Sequence, residues 1–284
     1  MRRLVAMATL LGLAGIGTAA LPAVHAAPTP IVIWSDATRA PVLQRSQTVA
    51  AADAPDIIWA EHSGTGELAQ AGAVSPIPMA KALRDQLRPG ALLGFTYGAK
   101  VYGLPVQSEN VALVTNGELV PKPVSSFDEL VKIALRLKKK GKADIGLAVG
   151  QGANGNAYFM QPLFAGLGGY IFGTDAVGTL DPKALGVDNK VFRKNAKLID
   201  GWNSSGLVNS SVDVNAARDA FLSGRTPFWI TGQWSTNDLQ GLKFTYFVST
   251  VPNIVQGLPT SPFLGVKGFM LTRFAAEHGV EPDA

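Results

Sequence analysis

The run Tyr102–Asn116, YGLPVQSENVALVTN, constrains this chain more than any other stretch, because two apolar, strand-like segments flank four polar residues, Gln107 to Asn110. An uncapped polar break inside a β pattern is what backbone looks like where it crosses from one folded body to another. Two bodies are therefore expected, with a first crossing at these four residues.

The stretch Pro121–Lys142, PKPVSSFDELVKIALRLKKKGK, predicts an amphipathic helix with Phe127, Leu130, Val131, Ala134 and Leu137 on one face. Ser126 can cap it, and Glu129 can answer three residues on as a capping box. Lys138, Lys139 and Lys140 end the helix where cations complement its dipole and stay solvated.

Before the crossing, Ile31–Trp34 and Asp56–Trp59 read as strands, and their continuous β-branched runs imply burial on both faces, as in α/β sheets. Each ends in a polar loop, Ser35–Arg39 and Ala60–Gly64. Ligands of open α/β sheets sit off such strand ends, so the loops are expected to form one side of a cleft. After the crossing, strand and helix patterns alternate. A strand is expected at Ile145–Val149, a helix with a polar mouth from Ala157 toward Tyr170, and a helix over Lys194–Gly206 with Ala196, Leu198, Ile199 and Trp202 as its core stripe. Asn215–Ser223 is a further helix that Gly224 can end in the left-handed conformation. Later strands are expected at Pro227–Thr231 and Lys243–Thr250, and Ser261–Leu271 returns extended to the first body. Trp34, Trp202 and Trp229 read mainly as packing residues.

Arg2 and Arg3, an apolar run to Leu21 and the small-residue site Val24-His25-Ala26 form a signal peptide pattern, with cleavage expected after Ala26. The alternative, a membrane span, is disfavoured by the glycines in the run, and the general secretory route fits better than a twin-arginine signal. Cleavage removes two basic residues and lowers the net charge from +4 to +2, too little for a nucleic-acid surface. With no cysteine there is no thiolate metal site, disulfide or lipidated cysteine, so a soluble periplasmic or extracellular protein is expected.

The order Leu104-Pro105 to Glu109, Tyr158-Phe159, Pro162-Leu163, Gly168-Gly169-Tyr170, then Ala220-Phe221-x-x-Gly224, a strand and Gly232-x-Trp234 resembles the maltose/maltodextrin-binding group of ABC-importer solute-binding proteins. The resemblance implies an α/β, two-lobed periplasmic-binding-protein type II fold. Lobe 1 would be residues 27–110 with a return segment 262–284, and lobe 2 residues 111–261. The fold would be truncated, since the family has a longer insert between the first two strands and further helices beyond the last. It also implies an oligosaccharide ligand, permease subunits as membrane partners, a monomer, and closure of the lobes about their hinges. No cofactor or metal is implied.

A sugar ring offers hydroxyl edges that need directional partners and flat faces that need an apolar plane. Asp36, Arg39, Glu61, His62 and Glu109 are candidate partners, and Tyr158 and Trp234 candidate platforms. By resemblance, Glu109 holds the position whose carboxylate accepts sugar hydroxyls, and Trp234 the platform after Gly-x. Thr38 and Arg39 match an Asp-Lys pair of the maltose binders, with Asp36 placed to compensate for the lost carboxylate. Asn156 stands where some relatives have Glu. Ala60 stands where the family has Trp, which shifts to Trp59 here and argues against maltose itself. A solvated Glu109, a core Trp234 and a hydrogen-bonded His62 are the plain alternatives.

Enzyme chemistry is not expected. Only His62 and His278 would survive cleavage, and neither Gly-x-Ser-x-Gly nor His-Glu-x-x-His occurs. Glu61 and Glu109 could form a glycosidase pair in principle. A binder of another small solute, or a shortened remnant without ligand, are the remaining alternatives.

Overall fold

In the computed structural model, which describes residues 31–35, 51–174 and 180–280, the chain divides into two units. One runs to Ser108 and resumes at Leu264; the other is Glu109–Phe263. The expected leader and the loop residues Asp36, Thr38 and Arg39 lie outside the described residues. In chain order the strands are β1 Ile33–Ser35, β2 Ile57–Glu61, β3 Thr96–Tyr97, β4 Lys100–Val101, β5 Leu104–Glu109 and β6 Val111–Asn116. Then come β7 Ala148–Val149, β8 Phe172–Thr174, β9 Leu180–Leu185, β10 Phe228–Gly232, β11 Tyr246–Ser249 and β12 Gly265–Leu271.

The first unit carries a four-stranded sheet in the order β1-β2-β12-β5. β2 is parallel to β1 and antiparallel to β12, with Lys267 opposite Glu61. Ile58, Leu68, Val74, Phe95, Val266 and Met270 form its core. β12 can lie against β5 because Gly268 has no side chain: a Cβ there would stand 2.2 Å from the Leu104 carbonyl oxygen. The burial expected of the first strand is not observed, since Ile31, Val32 and Ile33 are exposed. Among the described residues β1 is an edge strand, paired only with β2, so β-branched residues there reflect strand propensity more than enclosure.

The second unit has the sheet β11-β6-β10-β7, covered on both faces. Alternation along the strands sorts the layers. Val111 and Leu113 of β6 with Phe228 and Ile230 of β10 face one core, beneath helix Phe127–Lys139 and helix Ala157–Gly166. Val114 and Trp229 face the other, against Ala217 and Phe221 of helix Val214–Leu222. Trp229 is fully enclosed there, its ring centroid 5.3 Å from that of Phe221. Asp213 caps the latter helix by accepting from Ala216 N–H, and Gly224 comes just after its end at φ 72°.

Three local expectations need correction. Ser126 does cap its helix, accepting from Glu129 N–H at 3.1 Å, but the Glu129 carboxylate answers to the Ser125 N–H and hydroxyl, both at 2.8 Å, and not to Ser126. The helix expected over Lys194–Gly206 is two, Lys190–Asn195 and Lys197–Ser205, the first capped by Asn189. Leu198 is exposed, and Trp202 is the buried member of that stripe. The strand expected at Ile145–Val149 pairs only over Ala148–Val149.

Candidate functional site

Sheet register brings the site together in the second unit. β6 runs antiparallel to β10 with Val111 opposite Gly232, and β7 runs parallel to β10 with Val149 opposite Ile230. The start of β6 and the carboxyl ends of β7 and β10 therefore lie at one end of the sheet. Continuing the antiparallel register by two residues sets Asn110 against Gln233 and Glu109 against Trp234. Gln233 Nε2 accordingly donates to Glu109 Oε2 at 2.7 Å.

The turn that carries Gln233 and Trp234 is tied down on several sides. Thr231 and Ser235 share a buried hydroxyl–hydroxyl bond of 2.8 Å, and Thr236 Oγ1 donates to the Gln233 carbonyl at 2.6 Å. The short helix Thr236–Gln240 behind it is held to helix Val214–Leu222 by Arg218, whose Nε and Nη2 donate to Asp238 Oδ2 and Oδ1 at 2.8 and 2.5 Å. That guanidinium holds the Asp238 carboxyl below its ordinary range. The Trp234 indole folds back over Gly232, where a Cβ would meet ring atoms at 2.3 to 2.7 Å. Even so, Trp234 is 44% exposed.

The loop after β7 leads into helix Ala157–Gly166, capped by Asn156, whose Oδ1 accepts from Phe159 N–H. This cap sets Tyr158 and Phe159 on the first turn. Ring centroids of Tyr158 and Trp234 are 5.9 Å apart, those of Phe159 and Trp234 5.8 Å, and those of Tyr158 and Phe263 6.0 Å. The planes are mutually tilted, by 55° for the first pair and 81° for the second. Edge-to-face packing of this kind leaves rings rigid while faces stay available. The result is an aromatic corner whose exposed indole directly adjoins, in sequence, the glutamine bound to Glu109.

Of the expected site residues, Glu109, Asn156, Tyr158 and Trp234 thus belong to the second unit. Glu61 and His62 belong to the first. Glu61, at the end of β2, has its Oε1 3.5 Å from Lys267 Nζ. His62 Nδ1 lies 3.1 Å from the Val266 amide nitrogen and 3.3 Å from the Val266 carbonyl oxygen, and the imidazole lies against Gly94. Sequence reading missed Gln233, the middle residue of Gly-x-Trp, and Phe263, the last residue of the unit. Extending the β6/β10 register would have found Gln233. Among the described residues no group of His, Asp and Glu could hold a metal ion, and no helix is long and apolar enough to cross a membrane.

At one end of the sheet, a carboxylate held by an amide and a set of tilted aromatic rings together offer a directional acceptor and flat apolar faces. The family model of the bacterial extracellular solute-binding proteins matches residues 41–277. The chain is 26% identical over 234 residues to the maltodextrin-binding protein of Bacillus subtilis (strain 168), covering 80% of this chain and 54% of that protein. It is 29% identical over 223 residues to the maltotriose-binding protein of Pyrococcus abyssi (strain GE5 / Orsay), covering 76% and 46%. To the galactooligosaccharide-binding protein of Bacillus subtilis (strain 168) it is 23% identical over 230 residues, covering 78% and 53%. The chain spans about half the length of these relatives.

Proposed function

Because the chain belongs to the bacterial extracellular solute-binding protein family, with its α/β, two-lobed type II periplasmic-binding fold, we propose that it captures an oligosaccharide outside the cytoplasm and delivers it to the permease of an ABC importer. The ligand class is a maltodextrin-like glucan, supported by two relatives named for maltodextrin and maltotriose. One observation carries the reading: Glu109, fixed by Gln233, stands at the same end of the sheet as the Trp234–Tyr158–Phe263 corner. The carboxylate accepts hydroxyl protons, the exposed indole takes a ring face, and Tyr158 and Phe263 extend the apolar wall. Leaving a buried sugar hydroxyl unpaired would cost about 1–3 kcal/mol, so a charged acceptor at this place decides orientation.

Binding here is recognition without a covalent step, in keeping with relatives named as binding proteins. Titration of intrinsic tryptophan fluorescence with maltotriose, longer maltodextrins and a galactooligosaccharide tests the proposal. A saturable change with a glucan, abolished by Trp234→Ala, is expected. Cooperatively folding protein that responds to none of these saccharides would overturn it.

A further inference from the structure

We infer that Gln233 is a positioning residue for ligand recognition, orienting the Glu109 carboxylate before the saccharide arrives. The inference rests on the oligosaccharide-binding reading above.

A glutamate side chain has three rotatable bonds, and ordering it is among the larger side-chain entropy costs. A donor that orders it in the unliganded protein removes this cost from the binding step. Gln233 is placed to do so. Its backbone is held from behind by the Thr236 hydroxyl on its carbonyl and flanked by the buried Thr231–Ser235 pair. Its side chain reaches across the sheet end to Glu109 Oε2 at 2.7 Å. Its neighbour in sequence is the indole seated on Gly232. One rigid turn therefore presents the ring face and aims the carboxylate, coupling the two halves of saccharide recognition through adjacent residues.

A donor series at position 233 tests this, with dissociation constants for maltotriose measured beside thermal melts. Gln233→Leu, which removes the donor, is expected to weaken binding about five- to tenfold, the size of one bond to a charged group in a partly exposed place. Gln233→Lys restores a donor and should bind within about threefold of the original protein. Gln233→Glu sets two carboxylates face to face and should bind more weakly than Gln233→Leu. Melting temperatures should stay together, because the Gln233 side chain is exposed. A merely structural residue would not rank the variants by hydrogen-bond donation. Gln233→Leu binding as tightly as the original, or Gln233→Lys binding no better than Gln233→Leu, overturns the inference while leaving the functional reading intact. Folded original protein that binds no saccharide overturns both.

Discussion

The Trp234 indole rests on the backbone of Gly232, two residues earlier, so closely that a methyl group on Gly232 would stand 2.3 Å from the ring. Gly232 is in extended conformation, φ −116° and ψ −177°, which any residue adopts. What glycine supplies here is proximity, not conformational freedom.

Gly232→Ala should therefore unseat the ring and leave the strand in place. Trp234 is about half exposed and can swing outward, so thermal stability should fall by no more than about 1 kcal/mol. Saccharide affinity should fall at least tenfold, by loss of a stacked face worth about 1.4 kcal/mol or more. Paired fluorescence titrations and thermal melts check this.

Asp238, Asp144 and Asp188 each have a carboxyl held below its ordinary range, by Arg218, Arg225 and Arg193 respectively. A carboxylate with a depressed folded-state value contributes stability that is complete above the unfolded value. It is lost as pH falls through the folded value. Asp238→Asn should thus be less stable than the original at neutral pH, and the gap should close as pH drops below about 4. Melting temperature followed from neutral to acid pH shows whether the two curves converge.

Asp56 is 1% exposed. Its Oδ2 accepts from Val32 N–H at 2.7 Å and its Oδ1 lies 2.7 Å from His278 Nδ1. Asp56→Ala strands partners at both ends of the first unit and is expected to cost about 2–4 kcal/mol in urea denaturation. His278→Ala, which removes the more exposed member, should cost less.

Gly268→Ala places its methyl 2.2 Å from the Leu104 carbonyl oxygen, an obstacle of backbone that cannot rotate away. A loss of about 2–4 kcal/mol is expected. Gly241→Ala, whose nearest neighbour would be a carbonyl at 3.6 Å, is the control and should be near neutral. Denaturant midpoints of the two variants give the comparison.

Much of the second unit is legible in the residues. Ser126, with an apolar face at helical spacing behind it, marks a helix start, and Gly224 marks a helix stop. Finer features were not legible, for identifiable reasons. Glu129 had two serines within reach, and only three-dimensional geometry selects Ser125. The apolar run at Ile31–Trp34 announces a strand but not that the strand lies at an edge. In the candidate site, Gly-x-Trp draws attention to the indole. Gln233 is inconspicuous until the pairing of β10 with β6 brings it to the sheet end where its amide reaches Glu109, 124 positions away. Pairing over that distance is a property of the sheet and leaves no local signature.

The position of β12 between β2 and β5 fixes the order in which the chain can be completed. The strands of the second unit's sheet all lie in one continuous stretch, Glu109–Phe263, so they can pair before Gly265–Leu271 has been synthesised. The first unit must wait with a gap in its sheet until Gly265–Leu271 emerges, holding its opening strands apart across the whole intervening domain. A polypeptide halted just short of Gly265 would thus carry the second unit's sheet in full strand order and one unfinished sheet, with β2 and β5 each lacking its shared neighbour.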